Sequence, residues 1–430
     1  MIVGKINNPS FVLDLMDTNI LLLFIIGLSC AYSLNEFGDP SVTQIDPWGT
    51  DSLRIRITVS GAPKNLAVQA LLPNPPKNTK GEIYSTPLYT SNGNIAASVE
   101  DGKLVVTRLS DKKVLLQESG HSFGTSFSAE GTTKASISFE PQDEDIYGLG
   151  EHRTGKLQNK PYTHSFQRSQ IYSYSIGGDI SIPFYQSSAG YGFLWNLPSF
   201  GSVSILANGT SWVSNAATQL DFWVTTTSSS DLDYAEIMHN YVDATGHPPP
   251  MPFHASGFWQ CKNRYRNETE LLSIANGYYT RNLPLSVIVV DYYNWVNFGD
   301  WAFNPACWQT PANMVSNLNG HGTEIMVSVW PNIVKESHNF KAMYDNGYLV
   351  MNSSGTPYPF RAAGRYTYDP FNPDARKFVW DQVKKGYYDN GVKMYWLDAD
   401  EPERQLPDTS GQWYYAAGQD EQVGMAYPLL

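Results

Sequence analysis

A β-sandwich over residues 32–246, followed by a (β/α)8 TIM barrel over residues 254–430 with about four of its eight units present, is the architecture this chain predicts. Three observations carry it. Residues 41–245 show short runs of period-two alternation and almost no helical periodicity. The run His247-Pro248-Pro249-Pro250-Met251-Pro252 then forms a stiff joint, assigned to residues 247–253. Beyond it, strand-like and helix-like segments alternate, which is the pattern of a parallel sheet.

Strands in the first half are separated by Gly, Asn, Asp and Ser at turn spacing. Leu53 to Val59 and Leu104 to Thr107 are the clearest, and a helix is expected only at Leu232–Val242. In the second half Ala255–Gln260 reads as a strand and Glu268–Tyr279 as a helix. The β-branched run Leu285–Val290 is a buried strand that ends in Asp291. A helix near Ala312–Leu318, a strand Glu324–Trp330 and helices near Phe340–Asn346 and over Asp374–Tyr388 follow, and the last leads into a strand ending at Asp398. A doubly wound sheet is the competing arrangement, but no Gly-rich phosphate fingerprint follows the first strand. In a barrel, chemistry sits where strands end at the C-terminal face. Those ends would bring Trp259, Gln260, Asp291, Trp330 and Asp398 to one mouth.

The composition excludes some partners. A formal charge of −12 argues against nucleic acid and against an anionic membrane surface. The 27 Tyr, 19 Phe and 12 Trp supply flat apolar faces with polar edges, which suit sugar rings. The apolar run Ile20–Leu28 is too short to span a bilayer, and Ser29 and Ala31 follow at cleavage-site spacing. Residues 1–31 therefore read as a secretory signal peptide, with Met16 as an alternative start and an uncleaved anchor as the competing reading. Cleavage would give a secreted or secretory-pathway protein with no membrane partner, and the sequons at Asn208, Asn267 and Asn352 agree with a glycoprotein. Cys30 would leave with the signal, and Cys261 and Cys307 are free to pair without amounting to a disulfide framework. No His/Cys cluster has zinc spacing, so neither metal nor cofactor is expected. His247 and His254 are read as structural.

One stretch carries the chemistry. Tyr395-Trp396-Leu397-Asp398-Ala399-Asp400-Glu401-Pro402-Glu403 closes an apolar strand on four carboxylates. Acids crowded at a partly dry strand tip titrate apart, which is how acid chemistry is done at neutral pH. A solvated acidic turn or a calcium loop is the bland alternative.

Taken together these motifs resemble glycoside hydrolase family 31, the α-glucosidase and α-xylosidase family. The resemblance runs from Tyr147 to the end of the chain. It includes Tyr147-Gly148-Leu149-Gly150-Glu151-His152, Gly190 to Asn196, Gly257-Phe258-Trp259-Gln260-Cys261, Val290-Asp291, Trp330-Pro331 and Trp396 to Glu401. It implies a nucleophile at Asp398, with Glu401 as a supporting carboxylate. It implies that Asp291 grips sugar hydroxyls and that Trp330 and Trp396 wall the same subsite, with Glu151 and His152 on an approaching loop. Tyr292 and Tyr293 follow Asp291 and would face the C5 substituent of the ring. Their bulk favours α-xylosides over α-glucosides; packing of both tyrosines against the following helix is the competing reading, and Trp396 resembles the glucosidase branch more.

The family pattern is a retaining one, in which two carboxyl groups flank the scissile bond. The second of these, the acid/base, lies well downstream of the nucleophile in the family. Beyond the acidic cluster the only aspartates here are Asp408 and Asp420, both in polar, loop-like sequence. The expectation is therefore a fragment of a retaining α-glycosidase acting on oligosaccharide or polysaccharide ends. A non-catalytic, truncated carbohydrate-binding homologue is the alternative, and elimination by a lyase remains open.

Overall fold

The structure is a computed structural model that describes residues 30–34, 40–59, 61–66, 69–77, 79, 83–86, 89–128, 131–152, 154–166, 180–360, 364–399, 412–415 and 418–419. Most of the proposed signal segment and Glu401 lie outside the described residues. The first part folds as two antiparallel sheets. One runs, in spatial order, Cys30–Leu34, Pro40–Pro47, Ser52–Thr58, Leu220–Thr226, Tyr191–Trp195, Ile180–Ser187 and Ile146–Glu151. The other extends from Tyr162–Phe166 through Gly201–Leu206, Gly209–Ala217 and Thr133–Phe139 into a meander that ends at Ile83–Thr86. Ile55, Phe193 and Phe222 of the first sheet meet Ile137, Phe139 and Trp212 of the second in one core. Phe193 and Trp212 stack with centroids 4.9 Å apart.

Period-two alternation predicts one wet face for Ser52–Thr58, yet every residue of that strand is buried. The polar alternates form an interior network instead. Arg54 and Asp221 pair at 2.6 Å with both side chains fully buried, and the Arg54 guanidinium lies 4.7 Å from the Trp48 ring centroid. A helix, Tyr234–Thr245, starts where Asp233 accepts from the amides of Ala235 and Glu236. It lays Ile237 and Ala244 against Trp48, Leu71, Phe184 and Trp223.

The second part is a parallel sheet with helices between its strands: β1 (Trp259–Lys262), α1 (Glu268–Tyr279), β2 (Val287–Val290), α2 (Pro311–Gly320), β3 (Glu324–Val329), α3 (Phe340–Asp345), α4 (Pro373–Gly386) and β4 (Met394–Leu397). Spatial order follows chain order, β1-β2-β3-β4, with every pairing parallel. A doubly wound sheet would reverse direction at a switch point; this one does not. Ile288, Val290, Val327 and Val329 pack with Leu271, Met314, Met343 and Val383 of the four helices, so the helices cover one face. A small antiparallel sheet of Asn332–Val334, Pro359–Phe360 and Arg365–Thr367 sits between β3 and α4. It was not anticipated, because strands of two or three residues carry no readable period.

One expected element is displaced. Phe253–Ser256 forms a 3-10 turn, and β1 begins at Trp259 rather than Ala255. Gly257 is pressed against Ser286, whose Oγ would lie 1.8 Å from a Cβ there. Trp259 pairs with Val287, the first residue of β2, and so lies at the end of the sheet away from Asp291. Four residues of rise separate the two levels, about 13 Å. Gln260 accepts a hydrogen bond from the Tyr278 hydroxyl on α1. Neither residue reaches the mouth.

Candidate active site

Because the helix-facing residues alternate with those of the opposite face, Val289, Ser328 and Trp396 project to the side the helices leave uncovered. Ser328 lies directly across from Trp396. Asp398 follows β4 at the C-terminal end, where its amide donates to Val329 O at 2.9 Å and continues the ladder by one residue. The Asp398 carboxylate is held from three sides. Trp330 Nε1 donates to Oδ2 at 2.9 Å, Ser328 Oγ donates to the same oxygen at 3.2 Å, and the Ala399 amide donates to Oδ1 at 2.8 Å. Ala399 takes φ +60°, a left-handed turn that is uncommon for a residue with a Cβ. That turn keeps the next amide on the carboxylate just as the strand ends.

Asp291 closes β2 on the same side and accepts from the Tyr292 amide at 2.7 Å. Burial pushes its carboxyl above the usual range, the Tyr292 hydrogen bond opposes that, and repulsion from Asp398 adds to it. The two acids therefore sense each other. Burial, with the charge of Asp291, likewise raises the Cys261 thiol. Cys261 and Cys307 are both free thiols in this structure.

The aromatic wall is built from the loop after β2. Tyr292 stacks on Trp330 with centroids 5.8 Å apart and planes 20° from parallel, and Tyr293 lies 4.6 Å from Tyr292. Trp295 and Phe298 pack on Trp330 at 6.5 and 5.4 Å, and Trp301 Nε1 donates to the Trp330 carbonyl at 2.9 Å. Trp396 is 38% exposed on the uncovered face. Asp398, Asp291, Trp330 and Tyr292 are thus brought together. Glu151 lies exposed at the end of its strand. His152 Nε2 meets the Leu149 carbonyl at 2.6 Å, and its ring packs 4.0 Å from His164.

Two residues of the site were missed in the sequence. Ser328 is fully buried within the apolar stretch Ile325–Val329, and that polar interruption was its only signal. Asn294 is buried and binds three elements: its Nδ2 lies 3.4 Å from the carbonyls of Asp291 and Ser328, and its Oδ1 accepts from Tyr387 at 2.6 Å. It holds the ends of β2 and β3 in step.

Two strand-end carboxylates beside an indole wall, at the C-terminal end of a singly wound parallel sheet, are the arrangement expected of a barrel glycoside hydrolase. Residues 248–430 match the family model for the glycosyl hydrolases family 31 TIM-barrel domain, and residues 49–203 match the glycosyl hydrolase 31 N-terminal galactose mutarotase-like domain. The uncharacterized family 31 glucosidase ORF2 of Pseudescherichia vulneris is 36% identical over 416 residues, covering 90% of this chain and 76% of that protein. α-Xylosidase A of Aspergillus niger is 33% identical over 323 residues, covering 71% of this chain and 42% of its own length. A family 31 α-xylosidase from a soil metagenome, solved with xylose, superposes with TM-score 0.82 at 36% identity, over 94% of this chain and 61% of that one. The chain belongs to glycoside hydrolase family 31. It spans less than half of the Aspergillus relative and about three fifths of the solved one.

Proposed function

We propose that this chain carries the nucleophile side of a retaining α-glycosidase site that prefers α-xylosides. The observation that carries this reading is the Asp398 carboxylate, fixed by Trp330 and Ser328 beside Asp291. In the first step an Asp398 oxygen attacks the anomeric carbon, a glycosyl ester forms, and the leaving oxygen departs with a proton from a general acid. Water then cleaves the ester. Asp291 grips ring hydroxyls through charge-assisted hydrogen bonds, and Trp330 and Trp396 wall the ring. Glu401 is assigned a supporting role.

An activated fluoro-xylosyl fluoride tests the nucleophile without needing the acid. Fluoride leaves with the bonding pair unprotonated, so the C1–F bond can break as the ester to Asp398 forms. Peptide mass mapping should find the label on Asp398, and Asp398→Asn should remove it. A label on Asp400, Glu401 or Glu403 would overturn the assignment, and no label at all would favour a carbohydrate-binding homologue. Donor preference is tested separately. In the full-length enzyme kcat/KM should favour aryl α-xyloside over aryl α-glucoside, and Tyr292→Ala should relax that preference by about 1–3 kcal/mol. The xylose-bound relative supports the preference. Export is part of the same proposal, and a mobility shift on endoglycosidase treatment of the secreted protein would test it at Asn208, which is exposed.

A further inference from the structure

Tyr387 follows α4 directly, is fully buried, and stands edge-on to Phe303 with centroids 4.9 Å apart. Its carbonyl accepts from the amides of Asn390 and Val392, so its backbone is fixed where α4 turns towards β4. From that turn its hydroxyl donates to Asn294 Oδ1 at 2.6 Å. Burial, with the charges of Asp300 and Tyr395, pushes the hydroxyl well above its ordinary value, so it remains a donor. Asn294 is buried as well, and its backbone carbonyl accepts from the Asn304 amide at 2.7 Å. Only one arrangement of its side-chain amide satisfies every partner. The NH2 must face the carbonyls of Asp291 and Ser328, which leaves Oδ1 for the Tyr387 hydroxyl. Those two carbonyls belong to the residues that build the site. Asp291 carries the carboxylate assigned to the sugar hydroxyls, and the Ser328 hydroxyl holds Asp398. One buried amide thus spans the backbone behind both acids, and one phenol fixes that amide. Neither side chain is open to solvent, so neither can touch the sugar.

Resting on the site proposed above, we infer that Tyr387 and Asn294 are positioning residues: they set the spacing between Asp291, which grips the ring, and Asp398, which attacks it. A small misplacement of reacting atoms slows the chemical step while the contacts that bind the ring persist. The test is the labelling of Asp398 by the activated fluoro-xylosyl fluoride, followed in the full chain over a range of reagent concentrations. It reads the maximal labelling rate, the half-saturating concentration and the final labelled fraction. Tyr387→Phe removes only the hydroxyl. It should lower the maximal rate about tenfold and leave the half-saturating concentration and the labelled fraction unchanged. Asn294→Ala should lower the rate further, and Tyr387→Phe should add nothing in that background, because the hydroxyl acts only through the amide. Tyr279→Phe is the control: it removes a comparable bond, 2.8 Å to Thr323 Oγ1 just ahead of β3, and should change none of the three readings. The comparison of Tyr387→Phe with Tyr279→Phe decides the matter even where Asn294→Ala fails to fold. A Tyr387→Phe protein with the wild-type rate but a smaller labelled fraction would reduce the pair to a structural tie. A change confined to the half-saturating concentration would overturn the inference by making the effect one of binding. A wild-type chain that takes no label on Asp398 means that the site is misassigned, and the positioning role falls with it. A labelled wild type with unaltered kinetics in Tyr387→Phe removes the positioning role alone.

Discussion

The Asp398 carboxylate shows how much one hydroxyl can matter at a strand tip. Ser328 is fully buried and spends its O–H on Asp398 Oδ2 at 3.2 Å, while Trp330 approaches the same oxygen at 2.9 Å. Ser328→Ala removes the weaker of these two bonds without changing the strand. It is worth about 1–1.5 kcal/mol, so kcat of the full-length enzyme should fall roughly tenfold with KM nearly unchanged, as read by steady-state kinetics. In the interior of the sandwich the stakes are higher. Asp221→Ala would leave Arg54 charged and unpaired where neither side chain meets solvent. Breaking such a pair costs about 3–5 kcal/mol, measurable as a loss of unfolding free energy in urea.

Among the elements, α4 sets the position of the site through close contact. A Cβ on Gly386, in its last turn, would lie 2.1 Å from the Trp301 carbonyl and 2.7 Å from Ala302 Cα. These are backbone atoms of the loop whose Trp301 indole holds Trp330. Gly386→Ala should therefore destabilise by about 1–3 kcal/mol and lower activity together. Gly320, at the end of α2, meets nothing within 4 Å. Gly320→Ala should leave activity unchanged and stabilise by about 0.5–1 kcal/mol. Thermal unfolding of the two variants separates tight packing from helix propensity.

For the molecule as a whole, Asp369 couples distant chain to pH. It is buried, accepts from the Phe371 amide at 2.9 Å and the Tyr415 amide at 2.6 Å, and so ties residues 412–415 to the start of α4. Trp413 completes the tie by exchanging backbone hydrogen bonds with Met351. Burial raises the Asp369 carboxyl to about 6, against the pull of these amides and of Arg376. A raised folded value means that its stabilisation is fully present below the unfolded value of 3.8 and is lost as pH rises through about 6. Between pH 4 and pH 7 the wild type should lose on the order of 2 kcal/mol through this group. Urea titrations at the two pH values should show a correspondingly flatter response in Asp369→Asn. At the edge of the sheet, a groove of about 400 Å³ opens between α4 and β4, lined by Trp330, Trp380, Tyr395 and Leu397, with Leu397 67% exposed.

Element type was legible in the sequence because it depends on neighbours in the chain. Leu285–Val290 is apolar and mostly β-branched, and Asn267 and Asn372 accept from the first amides of α1 and α4, so strands and helices fall where local pattern puts them. Acids at strand tips, Asp291 and Asp398, were equally visible. Partnerships were not. Ser328 and Asp398 are 70 positions apart, and Asn294 meets Tyr387 across 93, so no local signal connects them. Trp259 was expected at the mouth and lies at the opposite end. Residue types report that a strand is buried. Which end of it faces the substrate depends on its register against Val287–Val290, and register is decided by long-range pairing that only the folded chain makes.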